Sequence, residues 1–207
     1  RSTLFPYTTL FRSQPLLALS KDEIEEILKN ARSAIVIIDE AYVDFGAESA
    51  ADLISKYDNL IVVGTFSKSR SMAGIRIGYA LGQESLISDL HRIKYSFNPY
   101  SLDGLAVLAG KASVEDREYF ESTTKMVIKT RENFIKELKT LGFEVFDSKA
   151  NFVFTKNDII SGEELYKQLR ENNILVRYFD ENVLRDYVRI SIGSDENMED
   201  RKSTRLN

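Results

Sequence analysis

An α/β fold is expected from three features of this 207-residue sequence, with a mostly parallel sheet first and a small α+β domain after it. Two short apolar runs, Ala34–Ile38 and Leu60–Val63, are rich in β-branched residues and end in polar ones. Such runs mark parallel strands covered on both faces. A helical stretch separates them, so the order is strand, helix, strand with short links, a βαβ unit. After a long helix over 115–140 the texture changes to short strands and one helix, the pattern of a separate α+β layer.

The elements follow in order. Ser20-Lys-Asp-Glu23 is a capping box, and Ile24, Ile27 and Leu28 give the helix after it an apolar stripe. The run Ala34–Ile38 ends at Asp39, and a helix is expected over Ser49–Tyr57. The second run ends at Gly64-Thr65. Ile75–Leu81 reads as a third strand, with a helix from Glu84 to Tyr95. Asn98-Pro99 breaks the pattern. A helix from Ser101 to Ala112 follows, then one long amphipathic helix over 115–140 carrying Phe120, Met126, Val127, Phe134 and Leu138. Gly142 is placed to end it. Phe143–Phe146 and Asn151–Phe154 read as strands. Ser161 caps a helix to Asn172, Ile174–Arg177 and Tyr187–Ile192 are further strands, and a helix begins after Ser194.

The two ends differ from the rest. Residues 1–13 open and close on Arg-Ser and repeat Thr-Leu-Phe, without helical or strand period. Residues 201–207 interrupt the last helix. Both read as translated adapter sequence. The expected organisation is a tail over 1–13, part of a large domain over 14–113, a small domain over 114–200, and a second tail over 201–207.

Composition narrows the chemistry. Hydrophobic residues make up 43% and charged residues 29%, enough for a buried core with a solvated surface. The net charge of −4 argues against nucleic acid as a partner. No run approaches the roughly 18 apolar residues of a membrane span, and no signal peptide opens the chain, so a cytoplasmic location is expected. Without cysteine there is no disulfide, thiolate zinc site or cysteine nucleophile. With His91 as the one histidine, two-histidine metal sites are excluded, and no metal is expected.

Polar residues gather where the two apolar runs end. Asp39 and Tyr42 follow the first; Thr65, Ser67 and Lys68 follow the second; Arg76 comes eight residues later. Ligands of open α/β sheets bind beyond the carboxyl ends of strands. One carboxylate, one amine, two hydroxyls, a phenol and a guanidinium suit pyridoxal 5'-phosphate. That cofactor needs a lysine amine for its aldehyde and a carboxylate for its ring nitrogen. Its phosphate needs hydroxyls and an arginine fork. Each residue alone also has an ordinary reading as a turn, cap or surface group; their ordered combination is what carries the argument.

Asp39-Glu-Ala-Tyr-Val-Asp-Phe45 and Gly64-Thr-Phe-Ser-Lys-Ser-Arg-Ser-Met-Ala-Gly-Ile-Arg-Ile-Gly-Tyr79 resemble the two signature segments of fold-type I aminotransferases, and the branch they resemble is histidinol-phosphate aminotransferase. The likeness continues through Ser148–Val153, Gly162–Tyr166, Asn173–Arg177 and Val188–Gly193, and covers residues 15–200. It implies that Lys68 holds the cofactor and moves the substrate proton. Asp39 would pair with the ring nitrogen, Tyr42 with the ring oxygen, and Thr65, Ser67 and Arg76 with the phosphate. Arg189 would grip the substrate carboxylate, Asn151 would support it, and Arg177 would bind the substrate's own phosphate. The implied substrates are an amino-acid phosphate and 2-oxoglutarate or glutamate, and the full-length parent is expected to be a homodimer.

The family's Asn-Pro-x-x-Pro-Thr-Gly loop, whose Asn assists the cofactor ring, is missing, and residues 1–13 stand in its place. The Gly-rich segment upstream of that loop is missing too. The chain is therefore expected to be a truncated piece, inactive alone. Two other readings stay open: a threonine-phosphate decarboxylase of the same fold, and a non-catalytic aminotransferase-like domain such as the effector-binding part of a regulator. A nicotinamide-binding domain is disfavoured because no Gly-x-Gly-x-x-Gly turn follows either strand.

Overall fold

The computed structural model describes residues 18–198, so both expected tails lie outside the described residues. Those residues divide into two units, one from Leu19 to Thr124 and one from Lys125 onward.

In the first unit, Ser20 caps helix α1 (Lys21–Asn30) with the full capping box: its side chain accepts from the Glu23 amide and the Glu23 carboxylate takes the Ser20 amide. Strands β1 (Val36–Asp39) and β2 (Leu60–Thr65) pair in parallel, with Asp39 level with Val63. Ile24 and Leu28 of α1 pack with Leu60, Val62, Ala50 and Leu53 to form this unit's core. Fully burying each of these larger side chains contributes about 1.5–3 kcal/mol.

Four expectations change here. The helix expected over Ser49–Tyr57 is a short 3-10 turn, Ala51–Ser55. The buried Glu40 carboxylate accepts the Ser49 hydroxyl (2.7 Å) and the Ala50 amide (2.5 Å), so the chain stays pinned through residue 50. The third strand, β3 (Gly78–Gly82), starts three residues later than expected. Ala73–Ile75 forms a 3-10 turn and Arg76 takes a left-handed conformation with φ 63°, which no strand residue adopts. β3 also runs antiparallel to β2, because the chain returns through a loop and not through a crossover helix. Among the described residues parallel character thus holds for β1–β2 alone. Finally, Ile35 and Ile37 are each 56% exposed, so the strand expected to be covered on both faces is covered on one.

Helix α2 (Glu84–Phe97) follows, and there His91 stacks on Tyr95 in an exposed surface setting. Helix α3 (Gly104–Glu115) starts later than expected because Asp103 is the cap, accepting the Ala106 amide at 2.7 Å. The long helix α4 (Arg117–Thr140) runs to Gly142, whose φ of 81° ends it as expected.

The second unit holds a four-stranded antiparallel sheet in the order β4-β5-β7-β6. Its strands are β4 (Phe143–Val145), β5 (Phe152–Asn157), β6 (Arg177–Tyr178) and β7 (Tyr187–Ser191), with helix α5 (Gly162–Glu171) capped by Ser161. Alternation sorts the side chains: Val153, Val188 and Ile190 join Phe134, Leu138 and Leu165 in the core. The strand expected from Ile174 is only two residues long. Asn173 has φ 61° and the Ile174 amide bonds the Leu169 carbonyl, so residue 174 still closes the preceding helix.

Candidate active site

Asp39 is the last residue of β1, exposed, and its carboxylate accepts the Ala41 amide at 3.0 Å, a bond that sets the turn after the strand. Tyr42 flanks the 3-10 turn Val43–Phe45. At the end of β2, Thr65 Oγ1 lies 2.9 Å from Ser67 Oγ, accepts the Ser67 amide at 3.0 Å, and lies 3.2 Å from the Ile77 carbonyl. The Lys68 ammonium sits 5.2 Å from the centre of the Tyr42 ring, within cation–π range. Asp39, Tyr42, Thr65, Ser67 and Lys68 therefore share the carboxyl end of the parallel strand pair. Arg76 stands two residues before Gly78, the partner of Thr65, so it lies near the same end of the sheet. It is exposed, and one of its N–H groups donates to the Ala73 carbonyl at 2.9 Å.

Sequence reasoning passed over several neighbours. Ser69 is buried and donates to Asp44. The Arg70 guanidinium lies 4.1 Å from the Phe120 ring centre and 5.2 Å from that of Phe66, and donates to the Ser113 carbonyl. The Tyr79 ring lies across Gly64, where an added Cβ would sit 2.3 Å from a ring carbon. Burial pushes the Tyr79 phenol above its ordinary range; the nearby Asp44 and Glu40 carboxylates push the same way, and Arg70 opposes them. All four residues stand inside or beside the two segments already singled out, but their roles depend on neighbours distant in sequence.

In the second unit, Arg189 on β7 stands directly opposite Arg177 on β6. Their guanidiniums lie 5.9 and 5.4 Å from the centre of the same ring, Phe179, and Arg189 also lies 5.0 Å from the Phe152 ring centre. Arg189 Nε is buried and has no hydrogen-bond partner. Like charges opposed across a strand pair repel, and a buried donor without an acceptor costs free energy. An anion held between the two guanidiniums would relieve both costs. Asn151 immediately precedes β5 and its carbonyl accepts the Ile192 amide at 2.8 Å, extending the β5–β7 ladder. Phe179, two residues past Arg177, was not singled out from sequence. Among the described residues no cluster of His, Asp or Glu could hold a metal ion.

A lysine, a carboxylate and a phenol at the end of a parallel strand pair, with an arginine-bearing antiparallel sheet in a second unit, are the parts of a fold-type I transferase. The chain belongs to the aminotransferase class I and II family, whose model matches residues 17–201. The histidinol-phosphate aminotransferase of Brachyspira hyodysenteriae is 52% identical over 184 residues, which is 88% of this chain and 52% of that protein. That of Acinetobacter baylyi is 52% identical over 180 residues, 87% of this chain and 50% of that protein. The crystal structure of the histidinol-phosphate aminotransferase from Clostridium acetobutylicum matches with a TM-score of 0.80 at 30% identity, over 89% of this chain and 57% of that one. The chain thus spans about half the length of the curated relatives it matches.

The donor set fits pyridoxal phosphate by its chemistry. An amine and a carboxylate stand on adjoining loops. Two hydroxyls sit beside a backbone turn, and an exposed arginine keeps N–H donors beyond the one given to Ala73. Among the described residues no helix is long and apolar enough to cross a membrane.

Proposed function

We propose that the protein of which this chain forms about half is a pyridoxal-phosphate transaminase acting on histidinol phosphate and 2-oxoglutarate, working as a cytoplasmic homodimer. The observation that carries this reading is identity of about one half to histidinol-phosphate aminotransferases, running through both units. The lysine facing Tyr42 in the first unit and the opposed arginines in the second support it. When bound, the cofactor supplies an electron sink for the pair left at the substrate α-carbon.

The residues of this chain take the remaining tasks. Lys68 holds the cofactor through its amine and then carries a proton to and from the substrate α-carbon. Asp39 keeps the ring nitrogen protonated, and the Tyr42 hydroxyl donates to the ring oxygen. Thr65, Ser67 and Arg76 hold the cofactor phosphate, the arginine through N–H donors beyond the one given to Ala73. Arg189 receives the substrate α-carboxylate as a planar fork, with Asn151 in support. Arg177, exposed at the sheet edge, takes the substrate phosphate. These tasks explain why two guanidiniums tolerate each other across one strand pair: the substrate brings two anionic groups.

The test is cofactor uptake followed by turnover. Purified chain mixed with pyridoxal phosphate should gain an absorbance band near the visible edge that Lys68→Ala lacks. Equal uptake by both proteins would refute the role of Lys68. With the full-length parent, histidinol phosphate and 2-oxoglutarate should yield glutamate; release of carbon dioxide in its place would refute the transaminase reading.

A further inference from the structure

We propose that Asp44 and Ser69 are positioning residues that hold the Lys68 amine against Tyr42. The inference rests on Lys68 being the cofactor-bearing amine of the proposed function. Lys68 stands on the exposed loop after β2, on a flexible four-carbon stem. Its turn closes on itself: the Ser71 amide donates to the Lys68 carbonyl at 3.1 Å and the Met72 amide to the Phe66 carbonyl at 3.0 Å. Ser71 takes a left-handed φ of 55° to allow this. None of these bonds reaches the loop after β1, so none fixes the lysine relative to Tyr42.

The Ser69 hydroxyl does reach it. It donates to Asp44 Oδ2 at 2.5 Å, across 25 residues of sequence, and Ser69 is only 8% exposed. The bond joins the residue after Lys68 to the second residue after Tyr42, and it is charge-assisted, hence stronger than a neutral one. Arg70 pins the other side. Its guanidinium donates to the Ser113 carbonyl at 2.5 Å and stacks on Phe120. With both following residues anchored, the lysine backbone has little freedom, and its amine comes to rest 5.2 Å from the Tyr42 ring centre.

The test needs no turnover. Trace acetylation with acetic anhydride, followed by peptide mapping, gives the reactivity of Lys68 relative to the other lysines. In Asp44→Ala and in Ser69→Ala that ratio should rise about threefold or more, the factor a hydrogen bond of typical net strength maintains between two loop states. Asp44→Asn keeps an acceptor oxygen but loses the charge, and should bring the ratio part of the way back to wild type. An unchanged ratio in Ser69→Ala, or a rise in Asp44→Asn equal to that in Asp44→Ala, overturns the proposal. Should Asp44→Ala unfold and raise every lysine alike, Ser69→Ala and Asp44→Asn decide the matter. A separate arm reduces wild-type chain and pyridoxal phosphate with borohydride and maps the label. Label spread over many lysines refutes the cofactor reading, while the acetylation ratios still decide the tie.

Discussion

Replacing Arg189 by Met should make this chain more stable while removing the anion site proposed for it. In the native chain Arg189 Nε is buried without a partner, which costs roughly 1–3 kcal/mol. The guanidinium directly across from Arg177 adds a repulsion of about 0.2–1 kcal/mol. Against these stand two ring contacts, to Phe152 and Phe179, each contributing roughly 0.5–1 kcal/mol. Methionine keeps most of the apolar stem and carries no donor to satisfy. The balance favours the variant by about 1 kcal/mol, or a rise of about 2–4 °C in Tm for a chain of this size. Thermal unfolding by circular dichroism, with and without millimolar inorganic phosphate, is the assay. Wild type should gain Tm with phosphate because binding to the folded state alone stabilises it, and Arg189→Met should gain much less. A variant that melts below wild type, or that gains as much from phosphate, would refute the account of two arginines strained in the absence of an anion.

Two further outcomes follow from local geometry. Gly162→Ala would place a Cβ within 2.6 Å of the Arg185 carbonyl oxygen and 2.7 Å of the Asp186 carbonyl carbon. Both are backbone atoms that cannot swing aside, so chemical denaturation should show a loss of about 1–3 kcal/mol. Hydrogen bonds from the Ser20 backbone, then from its side chain, hold the Glu23 carboxyl below its ordinary range. A lowered carboxyl contributes stability that is present above its unfolded value, near 4.5, and is lost as the pH falls through the folded value. Wild type should therefore lose more Tm on acidification across that window than Glu23→Gln, and parallel curves would contradict the assignment.

The strand-end placement of the candidate cofactor residues was legible in sequence because their order along the chain follows strand ends, which a βαβ reading fixes without coordinates. Asp39 and Thr65 are the last residues of β1 and β2 and Lys68 lies three residues beyond, where two β-branched runs run out. The capping box at Ser20 was equally legible, since its spacing is its mechanism. What escaped depends on contacts between distant segments. Ile75-Arg-Ile77 alternates like a strand, yet Arg76 adopts φ 63° because a 3-10 turn ends there. Ser49–Tyr57 has helical composition, yet Glu40 holds its start. Ser69 and Asp44 are 25 residues apart and carry no mutual signal, and Phe179 matters only because two strands bring two arginines to it.

The ring of Tyr79 lying across Gly64 has a consequence for how such a chain diverges. Gly64 and Tyr79 face each other in the β2–β3 register, and a side chain at 64 would collide with the phenol unless the half-exposed ring swung aside. Drift is then easiest in one order: the aromatic shrinks or turns outward first, and a side chain appears opposite afterwards. Lineages of this family should show small residues at 64 wherever 79 stays large, and the two positions should be inherited as a pair.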